Sequence, residues 1–145
     1  MSKPDPQGRR RAREAALQML YGCEVGRAGA YEAIATYWPS READEQLDAP
    51  HQEFANRIVR GTLERQEEID RMLTAHAQNW RIERMAVIDR VVLRMGVYEM
   101  LAEAETPSKV IINEAIELAR SFSGEESVPF VNGVLDGVRK ELRRS

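Results

Sequence analysis

Apolar side chains recur every three or four residues along this sequence, which is the spacing of helices that bury one face. No segment alternates apolar and polar residues as a half-buried strand would. The pattern predicts helices that begin near residues 9, 31, 51, 85, 107 and 128, with a polar, acidic loop over 40–49. We therefore expect an all-α fold, a compact bundle of about six or seven helices.

The segment 85–103 differs from the others because it carries two apolar stripes. The stripes are Ile88, Val91, Val92 and Met95 on one side and Leu93, Val97, Met100 and Leu101 on the other. Two stripes are typical of a helix at the centre of a bundle. We expect this helix to be buried on more than one side.

Local signals predict where several helices begin and end. Prolines and a glycine in residues 1–8 disfavour a helix and predict a flexible N-terminal arm. One long helix is expected over 51–79, ending at Asn79-Trp80. Thr106 is expected to cap the helix that begins near residue 107, with Pro107 in its first position. Ser127 is expected to cap the last helix.

Composition limits the classes of protein that this chain can represent. A length of 145 residues suits one domain or two small subdomains. Cys23 is the single cysteine, which excludes an intramolecular disulfide and a cysteine-based zinc site. The longest unbroken apolar run has four residues, too few to span a bilayer, so no membrane partner and a cytoplasmic location are expected.

Charge is distributed unevenly along the chain. Residues 1–20 carry five basic and two acidic side chains, whereas residues 21–145 carry 16 basic and 22 acidic ones. A basic tip attracts phosphate, but an acidic body cannot cover nucleic acid broadly. The acidic body is suited instead to a basic protein partner.

Four arginines near the start of the first helix are the strongest candidates for binding: Arg9, Arg10, Arg11 and Arg13. Cations at a helix N-terminus oppose the helix dipole unless an anion binds there. Two interpretations stay open at this point, a phosphate-binding site and a terminus that only aids solubility.

Aromatic residues supply two weaker candidates. Tyr21 follows the arginines and could stack on a base, although packing in the core is the favoured explanation. Phe130 lies just after an acidic tip that includes Glu126, between two predicted helices. This junction is a natural contact site, and ordinary helix packing is the alternative.

No constellation of catalytic residues is evident in the sequence. His51 and His76 are the only histidines and lack the spacing of metal ligands. Cys23 lies on the apolar face of the first helix, where a thiol is expected to be inert. We therefore predict a binding protein, not an enzyme, with no cofactor and no metal.

Four segments together resemble the NusB family of transcription antitermination factors. They are RRRAREAALQMLY at 9–21, IDRVVLRMGVYE at 88–99, TPSKVIINEAIELAR at 106–120 and FVNGVLD at 130–136. Their order and spacing match over nearly the whole chain, although the stretch 26–50 carries no family motif. The resemblance implies a single all-helical domain over 9–145, made of two packed helical subdomains of about 9–80 and 81–145.

The resemblance also implies a function in transcription. Family members pair with NusE, a small-subunit ribosomal protein, bind boxA-type single-stranded RNA in ribosomal RNA leader transcripts, and support processive RNA polymerase in an antitermination complex. By position, RNA-binding residues would be Arg9, Arg10, Arg11, Arg13, Tyr21, Glu126 and Phe130. Asp89 and Arg94 lie in the segment that resembles the NusE-binding face.

Two other classes of function stay open on sequence alone. One is a helical protein–protein interaction module whose arginines aid solubility. The other is an RNA-binding accessory domain related to those of ribosomal RNA methyltransferases, although no methyl-donor-binding domain follows within the sequence. The sequence is compatible with both a monomer and a homodimer.

Overall fold

Seven α-helices and three short turns of 3-10 helix make up the described part of the chain, residues 6–77 and 81–145 of a computed structural model. In chain order they are α1 (Pro6–Gly26), α2 (Ala30–Tyr37), α3 (Ala49–Glu64), α4 (Gln66–His76), α5 (Val87–Ala102), α6 (Ser108–Phe122) and α7 (Val128–Glu141). The 3-10 turns are Ala43–Glu45, Ile82–Arg84 and Glu125–Ser127. These two ranges contain no strand, so the prediction of an all-α fold is confirmed.

The helices divide into two compact units, residues 1–63 and 64–145. The sequence placed this boundary near residue 80 instead. The difference arises because α4 packs against α5 and α7, which assigns it to the second unit.

In the first unit, α1 begins at Pro6, earlier than expected. Residues 6–8 therefore belong to a helix and not to the predicted arm, whose residues 1–5 lie outside the described part. Proline is accepted in the first turn because its missing N–H would have no partner within the helix. Gly8 lies close to the imidazole of His51, so a β-carbon at this position would force the ring to shift.

The long helix expected over 51–79 is two helices, α3 and α4, which meet at Arg65. Arg65 leaves helical geometry, with φ −105° and ψ 17°. The surrounding run, residues 64–68, is entirely polar and has no apolar side chain to hold a continuous helix against a core. The predicted end at Asn79-Trp80 lies outside the described residues.

In the second unit, α5 contacts α4, α6 and α7. All side chains from Asp89 to Met100 are buried, including Val92, Leu93 and Val97, which are fully enclosed. The expectation of a central helix buried on more than one side is confirmed. This unbroken burial fixes the positions of the polar residues that α5 also carries.

The predicted side-chain caps of the last two helices are absent. Pro107, not Thr106, is the N-cap residue of α6, and Thr106 is buried outside the helix. Ser127 does occupy the N-cap position of α7, but its hydroxyl makes no capping bond. Between these helices Gly124 has a φ of +149°, a conformation that favours glycine.

Candidate nucleic-acid interface

The first two turns of α1 carry three arginines at or near the surface. Arg10 and Arg11 are exposed and Arg9 is half-buried. The first turn of α1 contains no acidic residue. Because the positive end of the helix dipole adds to these charges, the start of α1 is favourable for an anion.

Arg13 is placed differently from the other three arginines. Its side chain is only 3% exposed, and its Cζ lies 5.2 Å from the ring centroid of Phe54 on α3. Arg9 lies over the same ring, with a Cζ-to-centroid distance of 4.3 Å. Four residues separate Arg9 from Arg13, so both point to the same side of α1. The guanidinium of Arg13 is therefore enclosed by the protein, and its phosphate contact stays a prediction of the resemblance.

Arg11 lies at the edge of a cleft of about 210 Å³ in the first unit. Its Nη2 donates to the carbonyl oxygen of Asp44, at 3.3 Å. Arg41 lines the same cleft and stacks on Tyr37, with 4.7 Å between its Cζ and the ring centroid. The sequence indicated no role for the loop over 40–49, and this loop lies beside Arg11.

Tyr21 on α1 is 42% exposed. This exposure argues against the core-packing interpretation and leaves the ring accessible for stacking. Tyr31 at the start of α2, which follows Tyr21 in the sequence, is 86% exposed. Aromatic faces in contact with water are suited to stacking on unpaired bases.

A second cleft, of about 420 Å³, lies in the second unit. It brings together three residues that the resemblance had assigned to binding. They are Asp89 on α5, Glu126 in the 3-10 turn Glu125–Ser127, and Phe130 on α7. The remaining lining residues are Met85, Ala86, Ser123 and Ser127. The cleft therefore combines an apolar wall with carboxylates, which suits a basic peptide segment with an apolar side chain.

Asp89 is the most informative polar group in this cleft. It is 9% exposed, and its Oδ2 accepts a hydrogen bond of 3.0 Å from the Ser127 hydroxyl. Its Oδ1 is buried and has no hydrogen-bond partner. A buried polar atom without a partner costs about 1–3 kcal/mol.

Ser127 was expected only as a helix cap. Its hydroxyl instead orients Asp89 and lies 2.9 Å from the Ser123 hydroxyl. No sequence signal indicated this role, because Ser127 and Asp89 are far apart along the chain and meet only when α5 packs near the start of α7. Met85 was likewise not anticipated as a lining residue.

Arg94 is largely buried within the second unit. It is 7% exposed and forms two hydrogen bonds with Asp70 of α4, Nε to Oδ1 at 2.8 Å and Nη2 to Oδ2 at 2.9 Å. Five residues separate Arg94 from Asp89, which rotates them about 140° apart around α5. Arg94 therefore joins α5 to α4, and its contact with NusE stays a prediction of the resemblance.

Groups capable of catalysis are dispersed in the described residues. His51 bonds to Asp48 and His76 to Glu141, each at 2.6 Å. Cys23 is buried, and burial raises the pKa of its thiol. In the ranges 6–77 and 81–145 no cluster of three metal-ligating side chains occurs, and no helix is long and apolar enough to cross a membrane.

Fold and surfaces together define an all-helical binding protein. Comparison with known proteins specifies the family: residues 10–140 match the NusB family. The transcription antitermination protein NusB of Solibacter usitatus is 48% identical over 134 residues, covering 92% of this chain and 90% of the relative. The chain belongs to the NusB family, which confirms the resemblance found in the sequence and the prediction of a binding protein and not an enzyme.

Solved structures agree with this assignment. T. maritima NusB superposes with a TM-score of 0.81 at 35% identity, over 97% of this chain and 94% of that one. A crystal structure of antitermination factors NusB and NusE in complex with double-stranded RNA has a TM-score of 0.83 at 24% identity, over 93% and 98% of the two chains. The second likeness concerns the fold.

Proposed function

We propose that this chain is an RNA-binding transcription antitermination factor that acts together with NusE. The observation that carries the proposal is the cluster of Arg9, Arg10 and Arg11 at the start of α1, in a chain of the NusB family. The RNA is a boxA-type single-stranded sequence, and the complex supports processive RNA polymerase in the cytoplasm. RNA binding through these arginines requires that α1 stays uncovered, because a homodimer that covered α1 would mask them.

Salt dependence gives the scale of the RNA contact. Three arginine–phosphate contacts correspond to a slope of about −2 in log K against log salt for a single strand, at ~0.7 per contact. Such a small number of contacts supports only modest affinity. A second protein that binds RNA beside the first raises affinity through effective concentration. This is the reason for a partner in the proposal.

The cleft around Asp89 is the proposed NusE contact. Its carboxylates and the apolar side chains of Met85 and Phe130 fit a lysine or arginine side chain carried beside an apolar residue. Glu126, exposed at the rim, adds negative charge that favours a basic segment. In this proposal Glu126 and Phe130 serve the partner at least as directly as the RNA.

The RNA part of the proposal is tested by fluorescence anisotropy with a labelled boxA-type strand. In the double variant Arg10→Gln/Arg11→Gln the salt slope should become less negative by about 1.4. The matched control is Arg27→Gln/Arg71→Gln, which removes the same charge from exposed positions on other elements. Equal slopes in the two double variants would contradict an RNA contact at α1. A double-stranded RNA of the same sequence tests the strand preference.

The partner part is tested by calorimetric titration with purified NusE. Asp89→Asn keeps the size of the side chain and an acceptor for Ser127, but removes the charge. We expect about tenfold weaker NusE binding, or 1.4 kcal/mol. Glu105→Gln, which removes an exposed carboxylate of the same unit, should bind like the unaltered protein. Unchanged affinity in Asp89→Asn would exclude this cleft as the contact.

A further inference from the structure

A third guanidinium lies against Phe54 besides those of Arg9 and Arg13. Arg57, three residues further along α3, places its Cζ 5.4 Å from the ring centroid. All three distances fall within the range of about 6 Å in which a cation is attracted by the face of an aromatic ring. Phe54 itself is 2% exposed, so the ring is fixed in place by the protein around it.

The three arginines differ in how far they reach the surface. Arg13 is enclosed, whereas Arg9 and Arg57 are half-buried and expose part of their side chains. A guanidinium that reaches the surface can donate two parallel hydrogen bonds to a phosphate group. The arrangement therefore favours phosphate at the side where Arg9 and Arg57 reach solvent.

We infer that Arg57 is a further phosphate-contacting residue, supplied by α3, and that Phe54 is the positioning residue that holds Arg9 and Arg57 toward RNA. This inference rests on the proposed RNA-binding function and extends its surface from one helix to two. A planar guanidinium that is already oriented on a ring loses less freedom when it binds phosphate than a mobile one.

The chain offers a matched control on the same helix. Arg60 lies three residues beyond Arg57, is exposed, and forms an ion pair with Glu53, with 2.8 Å between Nη2 and Oε1. Arg57→Gln and Arg60→Gln therefore change the net charge equally. We expect Arg57→Gln to make the salt slope for boxA-type RNA less negative by about 0.7, with two- to fivefold weaker binding. Arg60→Gln should retain the slope of the unaltered protein.

The positioning role needs a change that leaves charge untouched. Phe54→Leu keeps an apolar side chain but removes the ring face, and we expect two- to fivefold weaker RNA binding. Its control is Ile58→Val, a smaller change at a fully buried position of α3. Should Phe54→Leu fail to fold by circular dichroism, Arg57→Lys replaces it, because lysine keeps the charge and loses the planar stacking group.

The outcomes separate this inference from the proposed function. Weaker binding by Arg57→Gln than by Arg60→Gln, and by Phe54→Leu than by Ile58→Val, supports it. If Arg10→Gln/Arg11→Gln lowers the salt slope while Arg57→Gln and Arg60→Gln bind alike, the inference is overturned and the proposed function stands. If the unaltered protein binds no RNA with or without NusE, both are overturned.

Discussion

The Arg94–Asp70 pair offers a test that separates an internal role of Arg94 from a contact with NusE. Asp70→Asn retains the shape of the side chain and removes the negative charge that faces Arg94, whose side chain is 8% exposed. Removing one partner of a fully buried ion pair costs about 3–5 kcal/mol. The Asp70 side chain is 27% exposed, so water partly compensates. We therefore expect a loss of about 2–3 kcal/mol in the free energy of unfolding.

Urea unfolding followed by circular dichroism measures this loss. The double variant Asp70→Leu/Arg94→Met removes both charges and should be more stable than Asp70→Asn, because no charge is left buried without its partner. Arg94→Lys should lower stability while leaving NusE affinity unchanged, since lysine cannot form the two parallel bonds. A stable Arg94→Lys protein with weakened NusE binding would refute the internal role and restore the partner assignment.

Three further predictions follow from single side chains. Arg144 donates to the carbonyl oxygens of Met100, Glu103 and Thr106, so Arg144→Ala should lower the free energy of unfolding by about 1–3 kcal/mol in urea. Ser127→Ala removes the hydrogen bond to Asp89. The loss in the free energy of NusE binding, measured by titration, should exceed the loss in the free energy of unfolding, measured in urea. Because burial raises the pKa of the Cys23 thiol, little thiolate is present at pH 8, and alkylation monitored by mass spectrometry should be slow until the chain unfolds.

Periodicity predicted helices correctly where the apolar stripes of a segment match the surfaces that the helix buries. The two stripes of α5 indicated a helix with neighbours on several sides, and α5 does contact α4, α6 and α7. Periodicity failed at Arg65, because a polar run continues the spacing of neither helix and leaves the break undetermined. The residue types at the helix start were also misleading at α6, where Pro107 and not Thr106 is the N-cap residue.

The site was less accessible to sequence reasoning than the fold. The arginine cluster was visible because its members are consecutive, yet its division into exposed and enclosed residues depends on Phe54, which lies on another helix. Arg57 was not predicted for the same reason, because it lies on α3 and is far from Arg9 along the chain. Asp89 was identified through the family resemblance, whereas its unpartnered oxygen and its bond to Ser127 arise only from tertiary packing.

The central claim is that this chain and NusE form one RNA-binding unit. The most direct measurement is anisotropy of labelled boxA-type RNA, titrated with the chain alone, with NusE alone and with an equimolar mixture, at two salt concentrations. The account predicts weak, salt-sensitive binding by the chain alone and binding at least tenfold tighter by the mixture, corresponding to about 1.4 kcal/mol or more. Binding by the mixture no tighter than that of the better single protein would contradict the account.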